Sequence, residues 1–177
     1  MIEKLSYQIA TSIKNAEPDK TPSVDMMKFS LIILIHTAFT ALLIIIVSLF
    51  TGETLATFEG LLFFMCLRFF SGGYHMHKSS WCTILSIVLM CSAPLFDLNE
   101  KIVFILNVLN CIMMVVFAPA NIKGYARIPE KYFPLLKVIS ILIAGSNFMF
   151  MSSTIAAVSL FQSVLLLFKN KEGGEKA

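Results

Sequence analysis

The sequence predicts an all-α protein that crosses a membrane several times as helices. Three observations carry this. Of its 177 residues, 57% are hydrophobic and 14% charged, where a soluble domain has about 45–50% and about 25%. The mean hydropathy is +0.81. The apolar residues are gathered into six stretches separated by short polar turns, as a bilayer requires of spanning helices. The length suits one domain and leaves little room for a separate soluble one.

Residues 1–16, MIEKLSYQIATSIKNA, set Ile2, Leu5, Ile9 and Ile13 near helical spacing, with Lys4, Gln8 and Lys14 elsewhere on the wheel. This predicts an amphipathic helix lying on the membrane surface or packed on the protein's own loops. Two prolines and four charges mark residues 17–25 as a linker. The clearest span is 29–50, FSLIILIHTAFTALLIIIVSLF, which has no charged residue and is long enough to cross. His36 lies inside it and reads as a neutral imidazole bonded to a neighbouring helix. Weaker apolar stretches follow at 54–70, 81–96, 102–120, 135–151 and 154–168. Several are near the lower limit of about 17 residues for a span. Two arrangements therefore stay open: six spans, or four spans plus two re-entrant segments.

Basic residues set the expected orientation. With a cytoplasmic N-terminus and six crossings, the cytoplasmic side holds Lys4, Lys14, Lys20, Lys28, Arg68, Lys78, Lys123, Arg127, Lys131, Lys137, Lys169, Lys171 and Lys176. That is 13 of the 14 basic residues, leaving only Lys101 outside, the bias expected of cytoplasmic loops. The chain then divides into a cytoplasmic helix and linker at 1–28, a membrane domain at 29–168 and a charged cytoplasmic tail at 169–177. Residues 1–28 lack the apolar core of a cleavable signal, so the first span is expected to stay in the membrane.

The composition also excludes. A net charge of +3, with no basic stripe interleaved with aromatics, gives no nucleic-acid signal. Cys66, Cys82, Cys91 and Cys111 form no CxxC pair, and no His/Cys cluster has zinc-finger spacing. Neither a metal nor a cofactor is called for.

The chemistry concentrates in CLRFFSGGYHMHKSSWC, residues 66–82, at the cytoplasmic end of two apolar stretches. Gly72 and Gly73 predict a sharp turn. Cysteine and histidine together can make a thiol nucleophile with its base. His75 and Cys82 are seven residues apart. On one straight helix they would share a face yet lie about 10.5 Å apart along the axis, too far for a direct hydrogen bond. A catalytic pair therefore needs a loop carrying His75 and a new helix starting near Ser79 or Ser80, either of which makes a good N-cap. Cys82 would then sit in the first turn, where the helix dipole and free N–H groups favour thiolate. Trp81 would anchor at the interface. His77 is a rival base and Cys66 a rival nucleophile. Cys66 is expected to be packed in a helix and inert, and Cys91 and Cys111 to be small core hydrophobes. Arg68 either reaches lipid phosphates or holds a substrate carboxylate. A second polar segment, FAPANIKGYARIPEKYFP at 117–134, reads as a structured loop on the same side. Lys123, Arg127 and Lys131 make it basic, which suits lipid headgroups or an acidic peptide.

These residues resemble the accessory gene regulator B family, membrane peptidases of Gram-positive quorum sensing. The resemblance rests on Arg68, Gly72, Gly73, His75 and Cys82 in RFFSGGYHMHKSSWC. It is supported by the loop APANIKGYARIP, by chain length, and by the amphipathic start and six apolar stretches. In that loop the Lys and Pro stand further apart than in the family's tighter pattern. The resemblance implies a cell-membrane cysteine endopeptidase, homodimeric, with its active site at the cytoplasmic interface. Its partner would be a small propeptide of the accessory gene regulator D type, with an amphipathic leader and an acidic C-terminal tail. Cys82 would be the nucleophile and His75 the base, through a thioester that the precursor's own Cys or Ser attacks to give a cyclic thiolactone or lactone.

Two other classes remain open on the sequence. Polar groups inside apolar stretches (His36, Asn107, Asn110, Asn147, Gln162) would also suit a peptide transporter or export factor. Short loops and small size would suit a non-enzymatic assembly partner.

Overall fold

The computed structural model describes residues 2–74, 79–121 and 129–168. The described residues form α1 (Ile2–Ala16), α2 (Val24–Thr51), α3 (Thr54–Ser71), α4 (Ser79–Ser92), α5 (Glu100–Phe117), α6 (Phe133–Phe150) and α7 (Ser153–Leu167). Single 3₁₀ turns at Ala93–Leu95 and Glu130–Tyr132 extend α4 and lead into α6. The fold is all-α and polytopic, as expected. Every apolar stretch became a helix, and the amphipathic start became α1.

Residues 1–43 and 44–177 form two compact units. In the first, Lys14 in the last turn of α1 donates to the Pro18 and Thr21 carbonyls (2.6 and 2.9 Å), tying the linker back onto the helix. The linker is shorter than its composition suggested, because α2 starts at Val24. The hydroxyl of Ser23 accepts from the Met26 N–H (3.4 Å), and Asp25 in the first turn suits the positive end of the helix. Polar residues that looked like linker are thus helix-starting residues.

In the second unit the boundaries follow from local chemistry. Gly52, at φ 78°, makes the turn into α3. Asn99 caps α5 by accepting from Ile102 N–H (3.0 Å), and Ser152 caps α7 by accepting from Ile155 N–H (3.3 Å). Pro134 lies in the first turn of α6, where its missing N–H costs nothing.

Among the described residues, four helices are long and apolar enough to cross a bilayer: Val24–Thr51, Thr54–Ser71, Glu100–Phe117 and, with its 3₁₀ turn, Glu130–Phe150. The shorter apolar ones are Trp81–Leu95 and Ser153–Leu167. The 15 residues of α7 rise about 22 Å, against a hydrocarbon core of about 30 Å. At the start of α7, Ser153 bonds both backbone groups of Leu98 just ahead of α5 (3.2 Å each). At its end, the Leu165 carbonyl accepts from Tyr74 N–H beyond α3 (3.1 Å). So α3, α5 and α7 run parallel, and α4 and α6 return between them. α7 thus runs from the end where α5 starts to the end where α3 stops.

The core is formed where α3, α5, α6 and α7 meet. Leu67, Met114, Ala118, Ala144 and Leu166 are its buried centre. α3 and α7 approach closely at Gly60, where a Cβ would lie 3.0 Å from Thr154 Cγ2. Phe64 and Phe161 stack beside that contact, with centroids 5.7 Å apart. Polar side chains inside the bundle bond one another. Asn147 Nδ2 donates to Asn107 Oδ1 (2.9 Å), Asn110 Nδ2 to the Ala156 carbonyl (3.2 Å), and Ser163 Oγ to Asn110 Oδ1 (3.2 Å). In an apolar medium such bonds hold helices together. Three of the polar groups that suited a transport path are therefore occupied in packing.

Candidate functional site

The site is built where α3, α5 and α7 end together. α3 stops at Gly72 because that residue takes φ 71° and ψ −145°, a conformation a side chain would resist, while its N–H still bonds the Arg68 carbonyl (2.9 Å). Gly73 follows at φ 135°; a Cβ there would stand 3.2 Å from both Arg68 Nη1 and Gln162 Nε2. Each glycine of the pair has its own reason: the first turns the chain, and the second lets the backbone pass close to two polar side chains.

The two polar segments singled out in the sequence meet here. Gly73 N–H donates to the Ala120 carbonyl (3.0 Å) and Ala120 N–H to the Ser71 carbonyl (2.9 Å), a parallel bridge between residues 72 and 120. The end of α7 completes the junction. Besides the Tyr74–Leu165 bond, Asn121 Nδ2 donates to the Phe168 carbonyl (2.8 Å), and the Tyr74 and Phe168 rings lie 5.9 Å apart. The expectation that residues 117–134 lie on the side of the His/Cys segment thus holds for their described start.

Arg68 turns inward. Its Nη2 donates to the Tyr74 carbonyl (2.7 Å), its Nη1 to Gln162 Oε1 (3.4 Å), and its guanidinium carbon stands 5.8 Å from the Phe64 ring centre. Its contacts are with the site's own backbone and side chains, whereas the sequence suggested lipid phosphate or a bound carboxylate. Cys82 is the fourth residue of α4, in its first turn as expected. It is partly buried and lies within electrostatic reach of Arg68. The helix begins at Ser79, so the N-cap position expected of Ser79 or Ser80 falls one residue earlier, outside the described residues. His75, its rival His77, and the loop residues Lys123 and Arg127 also lie outside them. Lys131 is described, in the exposed 3₁₀ turn, with its Nζ 5.0 Å from the Tyr132 ring centre. Trp81 is exposed, as an interface anchor requires.

One expectation is corrected. Cys66 is not packed away but exposed on α3. It lines a groove of about 530 Å³ with Glu59, Leu62, Phe63, Leu142, Ile143, Ser146 and Ile155. The physical reason is that apolar character in a spanning helix does not separate core from lipid-facing positions. Cys91 is buried, its Sγ 3.6 Å from the Ile44 carbonyl, and Cys111 is partly buried against the core, as expected of small hydrophobes. Among the described residues no group of three or more His, Cys, Asp or Glu could hold a metal ion.

The family model of accessory gene regulator B matches residues 2–168. The chain belongs to that family. A curated AgrB-like protein of Halalkalibacterium halodurans is 34% identical over 88 residues, which cover 50% of this chain and 45% of that relative. The match thus spans less than half the length of the relative. No solved structure matches the chain.

The residue that family resemblance and motif reading missed at this accessory gene regulator B site is Gln162. It was visible as a lone amide in an apolar stretch and was counted with the transport candidates. The usable signal was its face: Ser159, Gln162, Ser163 and Leu166 recur at helical spacing and are all buried.

Proposed function

We propose that this protein is a membrane-embedded cysteine endopeptidase that processes a small quorum-sensing propeptide into a cyclic signal. Family membership supports the role. The observation that most favours this chemistry is Cys82 in the first turn of α4. The free backbone N–H groups of a helix start favour a thiolate nucleophile.

In the proposed reaction the Cys82 thiolate attacks the scissile carbonyl of the propeptide. The C–N bond breaks as His75, having taken the thiol proton, returns it to the leaving amine of the acidic tail. The thioester then meets a thiol or hydroxyl of the same precursor. A new C–S or C–O bond closes the ring as the bond from the acyl carbon to the Cys82 sulfur breaks; His75 takes the proton of the attacking group, and Cys82 leaves as thiolate. Exchange of one thioester for another is nearly balanced in energy, so excluding water preserves the activation. Lys123, Arg127 and Lys131 would receive the acidic tail by charge complementarity. We place residues 1–28 and 169–177 on the cytoplasmic side, flanking a membrane domain at 29–168, in a homodimer.

The deciding experiment is intact-mass spectrometry of the full chain in lipid vesicles with its propeptide. An adduct equal to the propeptide without its tail, released by hydroxylamine and absent in Cys82→Ala, is expected. Tail cleavage that survives in Cys82→Ala would remove Cys82 as the nucleophile.

A further inference from the structure

Gln162 has no part in the chemistry above, yet it is the centre of the polar network at the site end. It is fully buried, and both ends of its amide are engaged. Oε1 accepts from Arg68 Nη1 (3.4 Å), and Nε2 donates to Ser71 Oγ (2.8 Å) and to the Gly72 carbonyl (2.6 Å). A buried amide in an apolar helix is costly unless it is bonded, so its partners point to its use. Asn107, Asn110 and Asn147 bond groups on regular helices or their caps. Gln162 bonds the last residue of α3 and the carbonyl just past it, where the backbone leaves helical geometry.

Tyr74 is reached through the same network. Tyr74 is fixed at both backbone polar groups: its N–H by the Leu165 carbonyl one turn beyond Gln162 (3.1 Å), and its carbonyl by Arg68 Nη2 (2.7 Å). The other arm of that arginine is held by Gln162. Gly73 passes so near both side chains that a Cβ there would stand 3.2 Å from each. Tyr74 immediately precedes His75 in the chain.

We infer that Gln162 is a positioning residue of the site. It holds Arg68 and the backbone at 71–73, so that α7 fixes the stem from which His75 departs. What is positioned rests on the peptidase mechanism proposed above; what does the positioning rests on these bonds alone.

The test uses the full chain in lipid vesicles under single turnover with its propeptide. Gln162→Leu removes all three bonds. Acyl-enzyme formation at saturating propeptide is expected to slow about a hundredfold, the cost of a small misplacement of a reacting group. The half-saturating propeptide concentration and the fraction of protein that reacts should stay as in the wild type. Deuterium exchange at the Gly73 and Tyr74 amides should quicken about tenfold, with α5 amides unchanged. A lower reacting fraction with a wild-type rate constant would make Gln162 merely structural and overturn the proposal. So would faster exchange without a slower rate. Gln162→Glu keeps an acceptor for Arg68 and for the Ser71 hydroxyl but sets a carboxylate against the Gly72 carbonyl and loses that bond; it carries the same test if the leucine variant does not fold, and a wild-type rate in it overturns the proposal. Should the wild type form no acyl-enzyme, the peptidase mechanism falls, and exchange alone decides. Unchanged protection at Gly73 and Tyr74 in the variants would then overturn the positioning role, and loss of protection confined to those amides would uphold it.

Discussion

Two polar networks lie inside the same apolar bundle, and they do different work. Toward the end opposite the site, Asn147 bonds Asn107 and both backbone groups of Ser152 across the α6–α7 corner. At the site end, Arg68 and Gln162 bond the carbonyls of Tyr74 and Gly72. Both networks pair buried polar groups, although the first leaves Asn107 Nδ2 without a partner among the described residues. The first joins one regular helix to another and closes a cap, so it specifies packing. The second holds irregular backbone between α3 and α4, so it specifies where reactive side chains can go. Polar residues within a membrane helix are therefore not a functional signal by themselves; the regularity of the backbone they hold is what separates the cases.

That difference can be broken from either side, and the expected effects are ranked. Cys82→Ala should abolish the hydroxylamine-sensitive adduct, with no residual tail release by mass spectrometry, and His75→Ala should abolish tail release as well. Arg68→Met removes the donor to Tyr74 and the cation near Cys82; tail release, followed by chromatography, should fall about a hundredfold. Arg68→Lys keeps the charge but cannot make the two-armed bond, so it should recover only part of that loss. Asn147→Leu should behave oppositely. Its thermal unfolding in detergent should shift by the equivalent of about 1–2 kcal/mol, while the cleavage rate per folded molecule stays at the wild-type value. Equal catalytic losses in Arg68→Met and Asn147→Leu would erase the distinction between the networks. Cys66→Ala should have the smallest effect, within about twofold in rate, as for an ordinary surface position. A large loss there would make the α3–α6 groove part of the site.

Much of the architecture was legible because a bilayer leaves few options. Long uncharged runs such as 29–50 can only be helices, since their backbone has no other hydrogen-bond partner in lipid. The turns at Gly52 and the caps at Asn99 and Ser152 are local, and local chemistry sets them. The paired glycines before His75 likewise announced a break in the helix, and placed Cys82 at the start of the next one.

What the sequence by itself determined is the number and order of the helices, the break after Ser71, and the residue types able to do thiol chemistry. Only the tertiary structure decided who meets whom. It brought Ala120 to Gly72 and Gln162 to Arg68, partners 48 and 94 residues apart. It also turned Cys66 outward and Arg68 inward, against or beyond expectation. The reason is physical: periodicity reports which residues share a helix face, but in a bundle surrounded by lipid the apolar medium lies on every side. Which face meets a neighbour is set by small residues and buried hydrogen bonds, such as Gly60 against Thr154 and the Gln162 amide against the end of α3, and those are long-range pairings that no local pattern encodes.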